Sequence, residues 1–151
     1  MPIGKLSSQA ITQVGLVVRD IDTTSRAFAD LFGVEVPAWH MTDTADTAHT
    51  RYRGQPTEAR AKLAFFRLPG VTIELIEPVG GPSTWQEFLE TRGEGVHHIA
   101  FQVPDMPAEV AMLEAKGLPA VQSGDYTGGC YTYIDGEAKL GIILELLART
   151  S

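Results

Sequence analysis

Four polar side chains interrupt otherwise apolar strand patterns, and together they could form a metal site: Gln13, Glu74, His98 and Glu145. His98 lies in the run 95–103, whose alternating pattern predicts a strand. Glu74 and Glu145 lie within the apolar runs 71–76 and 142–147, and Gln13 begins the run 13–18. A carboxylate in an apolar strand is costly unless it is paired or binds a metal. Two carboxylates, one imidazole and one amide are a plausible ligand set for a divalent ion.

An internal repeat relates these four residues in pairs. Two stretches of the chain follow the same predicted order of strand, helix and three further strands. One begins with QVGLVVRDI at 13–21 and closes on Glu74, and the other begins with HIAFQVPDM at 98–106 and closes on Glu145. Gln13 and His98 therefore occupy equivalent positions in the two copies of the repeat, and so do Glu74 and Glu145. Two such pairs favour one shared centre over four unrelated polar residues.

The elements that must position these residues follow from periodicity and from helix caps and turns. A helix is predicted from an N-cap at Asp22 to a C-cap at Gly33, a second from Ser83 through Thr91, and a third from Asp105 or Met106 to Gly117. The predicted strands are 13–18, 47–53, 61–68, 71–76, 97–103, 118–122, 130–134 and 141–147, with a loop at 37–46, a turn at 54–56, a linker at 78–82 and a turn at 135–136.

Length and composition indicate one soluble domain in a cytoplasmic protein. The chain has 151 residues, 44% of them apolar, a net charge of −7 and one cysteine, Cys130. This charge argues against a nucleic-acid or anionic-membrane partner. A single cysteine excludes an internal disulfide and is typical of a reducing compartment. We expect neither a signal peptide nor a membrane span, because no apolar run approaches about 20 residues.

Three segments resemble methylmalonyl-CoA epimerases: IELIEPV at 73–79, STWQEFLETRGEGVHHIAFQVPD at 83–105, and LEL at 144–146. Over about residues 10–148 the chain resembles the vicinal oxygen chelate superfamily, which includes glyoxalase I, extradiol dioxygenases and bleomycin-resistance proteins. The resemblance implies an α+β fold in which two βαβββ modules form a cupped, barrel-like mixed sheet. The modules would span about 10–78 and 95–148 of a single domain of residues 1–151, joined by a linker helix at about 83–92.

Carried over to this chain, the ligand positions of the superfamily fall on Gln13, Glu74, His98 and Glu145. The resemblance implies one divalent ion, such as Zn²⁺, Co²⁺, Ni²⁺ or Mn²⁺. Epimerases have histidine at the position of Gln13 and glutamine at that of Glu74, so the set here is more similar to that of some glyoxalase I enzymes. A further carboxylate, which is proposed as a base in some epimerases, has no counterpart, because Leu63 lies at about its position.

Metal-assisted removal of a proton alpha to a carbonyl is the chemistry that this ligand set favours. The ion would stabilise a metal-bound enolate, and a glutamate beside it would carry the proton. Glu145 is the first candidate for the base and Glu74 the second. We therefore expect a metal-dependent isomerase or epimerase similar to methylmalonyl-CoA epimerase. The alternatives are a glyoxalase I-like lyase and a non-catalytic small-molecule binding or resistance protein on the same fold.

The substrate would be a small carbonyl compound such as an acyl-CoA thioester, and the superfamily resemblance implies a homodimer. Five basic residues in one span could hold an anionic substrate, although a solvated strand face is the commoner interpretation. Strand alternation predicts that His97 faces away from His98 and is structural. For Gln102, Thr72, Tyr131 and Tyr133 the two interpretations are ordinary wall residues and substrate contacts, and the first is favoured. The five basic residues are Arg51, Arg53, Arg60, Lys62 and Arg67.

Overall fold

The computed structural model describes residues 4–150, and these residues form ten strands and five helices. The helices are α1 (Ile21–Phe32), α2 (Ala45–Ala48), α3 (Thr84–Arg92), α4 (Met106–Ala115) and α5 (Glu137–Leu140). The strands are β1 (Gln13–Val17), β2 (His40–Met41), β3 (Arg51–Tyr52), β4 (Gln55–Pro56), β5 (Arg60–Leu68), β6 (Val71–Val79), β7 (Gly95–Gln102), β8 (Ala120–Tyr126), β9 (Gly129–Ile134) and β10 (Ile143–Arg149).

All ten strands belong to one curled, mixed sheet, which confirms the predicted α+β class. Their order across the sheet is β2-β5-β6-β1-β7-β10-β9-β8-β3-β4. Strand β1 pairs in parallel with β6 and antiparallel with β7, and β7 pairs in parallel with β10. The order β2-β5-β6-β1 mirrors the order β8-β9-β10-β7 about the β1–β7 pair. The division into modules at about 10–78 and 95–148 remains a prediction.

The apolar strand faces pack against helices, and this packing turns the polar strand residues towards the opposite face of the sheet. Helix α1 covers a cluster that includes Val18, Leu75 and Phe66. Leu113 and Leu118, in and just after α4, belong to an equivalent cluster with Phe101, Leu144 and Leu146. Side chains alternate along each strand, so residues next to these apolar positions face the inside of the curl.

Local capping explains where the long helices begin and end. Asp20, and not the predicted Asp22, is the N-cap of α1, because its carboxylate accepts hydrogen bonds from the backbone N–H groups of Asp22 and Thr23. Gly33 ends that helix in the left-handed conformation, as predicted. Ser83 caps α3 as expected. No helix within residues 4–150 is long and apolar enough to cross a membrane.

Residues 42–57, which we call the crossing segment, differ most from the sequence expectation. The sequence predicts a strand over 47–53 that is separated from the strand 61–68 by a turn, but residues 45–48 form α2, and β3 pairs with β8 at the far end of the sheet. Strand β5 pairs instead with β2 and β6. The crossing segment therefore joins the two ends of the curled sheet. Pairing between such distant parts of the chain leaves no signal in local periodicity.

Smaller differences concern strand ends. Strand β6 continues through Pro78 to Val79, where a linker was predicted, because it remains paired with β5 as far as Arg60. Strand β8 begins at Ala120 rather than Leu118 and extends to Tyr126. The short helix α5 directly follows the turn predicted at 135–136, where the sequence predicts no helix.

Candidate metal centre and cavity

Three of the four predicted ligands come together in the middle of the sheet, at the strand junction around β1. Gly15 of β1 lies between Glu74 of β6 and His98 of β7, and Glu145 of β10 is the cross-strand neighbour of Ala100. Glu74 is 7% exposed, His98 is fully buried and Glu145 is 4% exposed. One potential ligand atom from each of these three residues lies within 4.8 Å of the other two.

The facing atoms of this trio have no other partner within residues 4–150. His98 Nε2 lies 3.3 Å from Glu74 Oε1 and 3.2 Å from Glu145 Oε1. Neither pair has hydrogen-bond geometry, so three buried polar atoms point at one another without a hydrogen bond. Donor atoms that share one ion at about 2.1 Å lie about 3.0–3.4 Å apart in octahedral or tetrahedral coordination. The chemistry and spacing of the trio therefore fit a divalent cation.

Burial and charge shift the pKa values of these groups in directions that also favour a cation. Burial raises the pKa of the Glu74 carboxyl, and the charge of Glu145 adds to this effect. Burial alone would lower the pKa of His98, but the charges of Glu145 and Glu74 outweigh it and raise the pKa to about 10. Without a bound cation, the trio therefore keeps a proton on His98. A divalent ion would replace that proton.

Gly15 provides the space that the His98 ring occupies. A Cβ atom on this residue would lie 2.1 Å from His98 Cε1 and 2.5 Å from His98 Nδ1. No other residue type leaves room for the imidazole in its present position. This role of Gly15 could not be predicted from the sequence, because a glycine inside a strand pattern gives no indication of which side chain it accommodates.

Gln13 lines the same cavity as Glu74 and Glu145. It lies on β1 opposite Ala100 of β7 and Thr72 of β6, two residues before Gly15. Its side chain is therefore on the same face of β1 as the space filled by the His98 ring. The structure places Gln13 beside the trio, and its role as a fourth ligand remains a prediction.

The carboxylates face a cavity of about 460 Å³ inside the curled sheet. Residues of β2, the crossing segment and β5 line one part of it, and residues of β8–β10 line another part. Leu63, at the expected position of the epimerase base, lines the cavity as an apolar side chain. The lining residues are Gln13, His40, Met41, Thr42, Asp43, Ala48, Thr50, Leu63, Phe65, Glu74, Trp85, Gln102, Asp125, Tyr126, Thr127, Tyr131, Tyr133, Glu145 and Leu147.

Two tyrosines in this wall are oriented by hydrogen bonds that they accept. The Thr84 backbone N–H donates to Gln122 Oε1 at 2.8 Å, so the Gln122 amide nitrogen faces Tyr131 and donates to its hydroxyl oxygen at 3.1 Å. Trp85 Nε1 donates to the Tyr133 hydroxyl at 3.0 Å. Each phenol oxygen thus accepts a hydrogen bond, and its own hydrogen remains available to an oxygen in the cavity. Burial raises the pKa of both phenols, which keeps them protonated.

Strand alternation predicts that His97 faces away from His98, but the structure shows the two side chains in contact. The β1–β7 register shifts at this point, with Gly15 opposite His98 and Leu16 opposite Val96, so His97 is the extra residue of a β-bulge. Its side chain is 1% exposed, and its Nδ1 lies 2.9 Å from His98 Nδ1. The sequence contained no signal for this bulge, because a bulge depends on the pairing strand.

Each of the five basic side chains of the span 51–67 is engaged in a contact with another residue of the chain. Arg53 pairs with Glu87 and Lys62 with Glu77, and Arg60 donates two hydrogen bonds to the Thr42 carbonyl. Arg51 donates to the Gly54 carbonyl, and Arg67 lies over the Phe65 ring. None of the five lines the cavity described above. These contacts favour a structural face over an anion-binding platform.

Comparison with known protein families gives one match over most of the chain. The profile of the Glyoxalase/Bleomycin resistance protein/Dioxygenase superfamily matches residues 12–134. This range includes Gln13, Glu74 and His98 and ends before Glu145. A 44-residue segment, 29% of the chain, is 48% identical to the uncharacterized protein YqjC of Bacillus subtilis and spans 31% of that protein.

Longer similarities are to two epimerases and to solved epimerase structures. The chain is 28% identical over 116 residues to an ethylmalonyl-CoA/methylmalonyl-CoA epimerase of Cereibacter sphaeroides, covering 76% of each chain. It is 30% identical over 108 residues to a 2-epi-5-epi-valiolone epimerase of Actinomyces sp., covering 71% of this chain and 58% of that protein. Its fold is similar to that of a Streptomyces coelicolor methylmalonyl-CoA epimerase in complex with 2-nitronate-propionyl-CoA, with a TM-score of 0.65, 23% identity, and coverage of 96% and 100% of the two chains.

Proposed function

The chain belongs to the glyoxalase/bleomycin resistance protein/dioxygenase superfamily, also called the vicinal oxygen chelate superfamily, and on this basis we propose that it is a metal-dependent isomerase of the epimerase type. The proposed reaction begins with removal of a proton alpha to a carbonyl. The observation that carries the proposal is the buried trio of Glu74, His98 and Glu145, whose facing atoms lack hydrogen bonds and lie beside a cavity. The epimerase activities of the two relatives support the reaction class.

Glu74, His98 and Glu145 would hold the ion, with Gln13 as a fourth ligand. The ligand types suit Zn²⁺, Co²⁺, Ni²⁺ or Mn²⁺. When bound, such an ion supplies positive charge that polarises the substrate carbonyl and stabilises the negative charge of an enolate.

In the proposed reaction, Glu145 takes the proton from the carbon atom, and Glu74 is the second candidate for this role. The cross-strand neighbour of Glu145 is Tyr133, and the two side chains share the face that lines the cavity. A carboxylate at this position can receive a proton from a carbon held beneath the phenols. The hydroxyls of Tyr133 and Tyr131 would donate hydrogen bonds to substrate oxygens.

The proposed substrate is a small carbonyl compound with an acidic carbon–hydrogen bond. An acyl-CoA thioester is one candidate, because the Cereibacter relative is named for two such compounds and the Streptomyces structure contains an acyl-CoA analogue. The name of the Actinomyces relative adds 2-epi-5-epi-valiolone as a second kind of candidate.

A glyoxalase I-like lyase is the second candidate function. It is favoured by one observation, the ligand set of Gln13, Glu74, His98 and Glu145, which resembles that of some glyoxalase I enzymes. Both functions use a metal and a basic carboxylate, so they differ in substrate rather than in the chemistry of the site. A non-catalytic binding or resistance protein is the remaining alternative.

Two measurements on the purified protein test the proposal. Elemental analysis should find one divalent ion per chain. The metal-loaded protein should then introduce solvent deuterium into the alpha carbon of at least one compound among 2-oxo acids, acyl-CoA thioesters and 2-epi-5-epi-valiolone. Metal binding without any deuterium exchange across this set would favour the binding-protein alternative, and absence of metal binding would refute the metal-dependent mechanism.

A further inference from the structure

His97 connects the proposed metal ligand His98 to the start of helix α3. His97 Nδ1 lies 2.9 Å from His98 Nδ1, and His97 Nε2 lies 3.2 Å from Thr84 Oγ1. The three side chains therefore form one hydrogen-bonded row, Thr84–His97–His98, that ends at the imidazole facing Glu74 and Glu145. All three are at least 96% buried, with exposures of 4%, 1% and 0%.

The His97 ring is held in place from several directions. It makes edge contacts with the rings of Phe88 at 5.4 Å and Tyr133 at 5.1 Å between centroids. Thr84 is itself anchored, because its backbone N–H donates to Gln122 Oε1. The bulge in β7 provides the backbone geometry, since regular alternation would turn consecutive side chains to opposite faces.

The two facing Nδ1 atoms can share only one hydrogen, so the row has a direction. If His98 donates its Nδ1 hydrogen, the neutral ring of His98 has a free lone pair on Nε2. His97 then carries its own hydrogen on Nε2, where it faces Thr84 Oγ1. If His97 donates, His98 carries its hydrogen on Nε2, where it blocks metal binding. Only the first direction is compatible with His98 as a ligand.

We propose that His97 is a positioning residue that accepts the Nδ1 hydrogen of His98 and thereby presents the Nε2 lone pair of His98 to the metal position between Glu74 and Glu145. This inference rests on the proposed metal-dependent function. Protein groups that accept the second ring hydrogen of a metal-binding histidine fix its orientation, and their loss typically reduces metal affinity by roughly 10–100-fold. Here the accepting group is a second imidazole, adjacent in the sequence.

Two variants of His97 separate the effect of its hydrogen bond to His98 from the effect of its ring shape. His97→Phe keeps an aromatic ring between Phe88 and Tyr133 but removes the acceptor. His97→Asn places an amide oxygen near the position of Nδ1 and restores it. We expect the affinity for Co²⁺, measured against a competing chelator, to fall about 10–100-fold in His97→Phe and to recover most of this loss in His97→Asn. His40→Phe, at a histidine that stacks on Phe65 in the cavity wall, is the control and should keep the Co²⁺ affinity.

A spectroscopic measurement on the unaltered protein tests the inference even if a variant fails to fold. In ¹⁵N-labelled metal-loaded protein, His98 should carry its hydrogen on Nδ1, and a ¹⁵N–¹⁵N coupling should connect it to His97 Nδ1 across the hydrogen bond. A His98 hydrogen on Nε2 and none on Nδ1 in the metal-loaded protein, or equal Co²⁺ affinity in wild type and His97→Phe, would overturn the inference. If the wild type binds no metal, the proposed function fails, and the ¹⁵N chemical shifts of the two Nδ1 atoms in the metal-free protein still show which of them carries the hydrogen between His97 and His98.

Discussion

The His98 imidazole lies directly over Gly15, so closely that a methyl group on Gly15 would come within 2.1 Å of His98 Cε1. Gly15 is also the residue of β1 that pairs with Glu74 on one side and with His98 on the other. Gly15 thus sets the distance between the strands that carry Glu74 and His98, and it leaves room for the His98 ring. This relationship gives the most direct test of the metal centre.

Gly15→Ala should displace the His98 ring and lower the Co²⁺ or Zn²⁺ affinity by at least about tenfold, a loss of the size seen when a ligand is misplaced. Isothermal titration calorimetry measures this change. Gly124→Ala is a matched control, because its added methyl group would meet the Tyr131 ring at 2.7 Å and not a potential ligand. Equal metal affinities in the two variants would show that the fit between Gly15 and His98 does not control binding.

Glu145→Gln should abolish deuterium exchange into the substrate while keeping the fold, since the amide is nearly isosteric with the carboxylate. Because an amide oxygen can still coordinate an ion, this variant should retain measurable metal. Mass spectrometry of the substrate after incubation in deuterated water gives the exchange rate. If Glu145→Gln exchanges normally and Glu74→Gln does not, the role of base belongs to Glu74.

Tyr131→Phe should reduce turnover by about 10–100-fold and leave the metal content unchanged, because removing one preorganised hydrogen-bond donor costs up to about 10²–10³ in rate. Steady-state kinetics and elemental analysis measure the two quantities. Tyr52→Phe is the control, since the hydroxyl of Tyr52 donates to Glu87 and does not line the cavity. A loss of metal in Tyr131→Phe would show that the phenol supports the centre and does not act on substrate alone.

The metal-free protein should become less stable as the pH rises from about 7 to 10. The pKa of His98 is raised from 6.5 to about 10 in the folded chain, because the charges of Glu145 and Glu74 outweigh the effect of burial. Protonation of His98 therefore stabilises the fold fully below pH 6.5, and this contribution is lost as the pH rises through about 10. Burial also raises the pKa of Glu74, so its contribution to stability likewise falls as the pH rises above about 4.5.

Thermal unfolding of chelator-treated protein across this pH range measures the effect, and His98→Gln should show a flatter dependence. Apparent metal affinity should change in the opposite sense and increase with pH, because the ion must displace the His98 proton. An affinity that does not depend on pH between 7 and 9 would contradict this coupling.

A homodimer is the predicted assembly. Several large apolar side chains are exposed near the end of α1 and in the loop that follows: Leu31 at 72%, Val34 at 50%, Val36 at 51% and Trp39 at 38%. Burial of such side chains is the usual driving force for association. Sedimentation at micromolar concentration should give the mass of two chains, and a strictly monomeric protein would refute the prediction.

The features of this structure differ in whether the local sequence predicts them. Glu74, His98 and Glu145 could be singled out because a polar residue within an apolar strand is visible locally, and the repeat suggested that they belong together. The bulge at His97 and the space at Gly15 could not be predicted, because both depend on which strand lies alongside. The orientation of Tyr131 depends on Gln122 and on the backbone of Thr84. These three residues lie in β9, β8 and α3, which meet only in the folded chain.

The crossing segment lines part of the cavity that the carboxylates face, and few strand pairs hold it there. It is joined to the far end of the sheet by the short β3–β8 ladder, with Arg51 opposite Ser123 and Tyr52 opposite Gln122. The strands that carry Glu74, His98 and Glu145 have paired neighbours on both sides. Local opening therefore costs less free energy at the crossing segment than at the central strands. The part of the cavity wall that the crossing segment forms is thus held less firmly than the carboxylates that it covers, although both belong to one sheet.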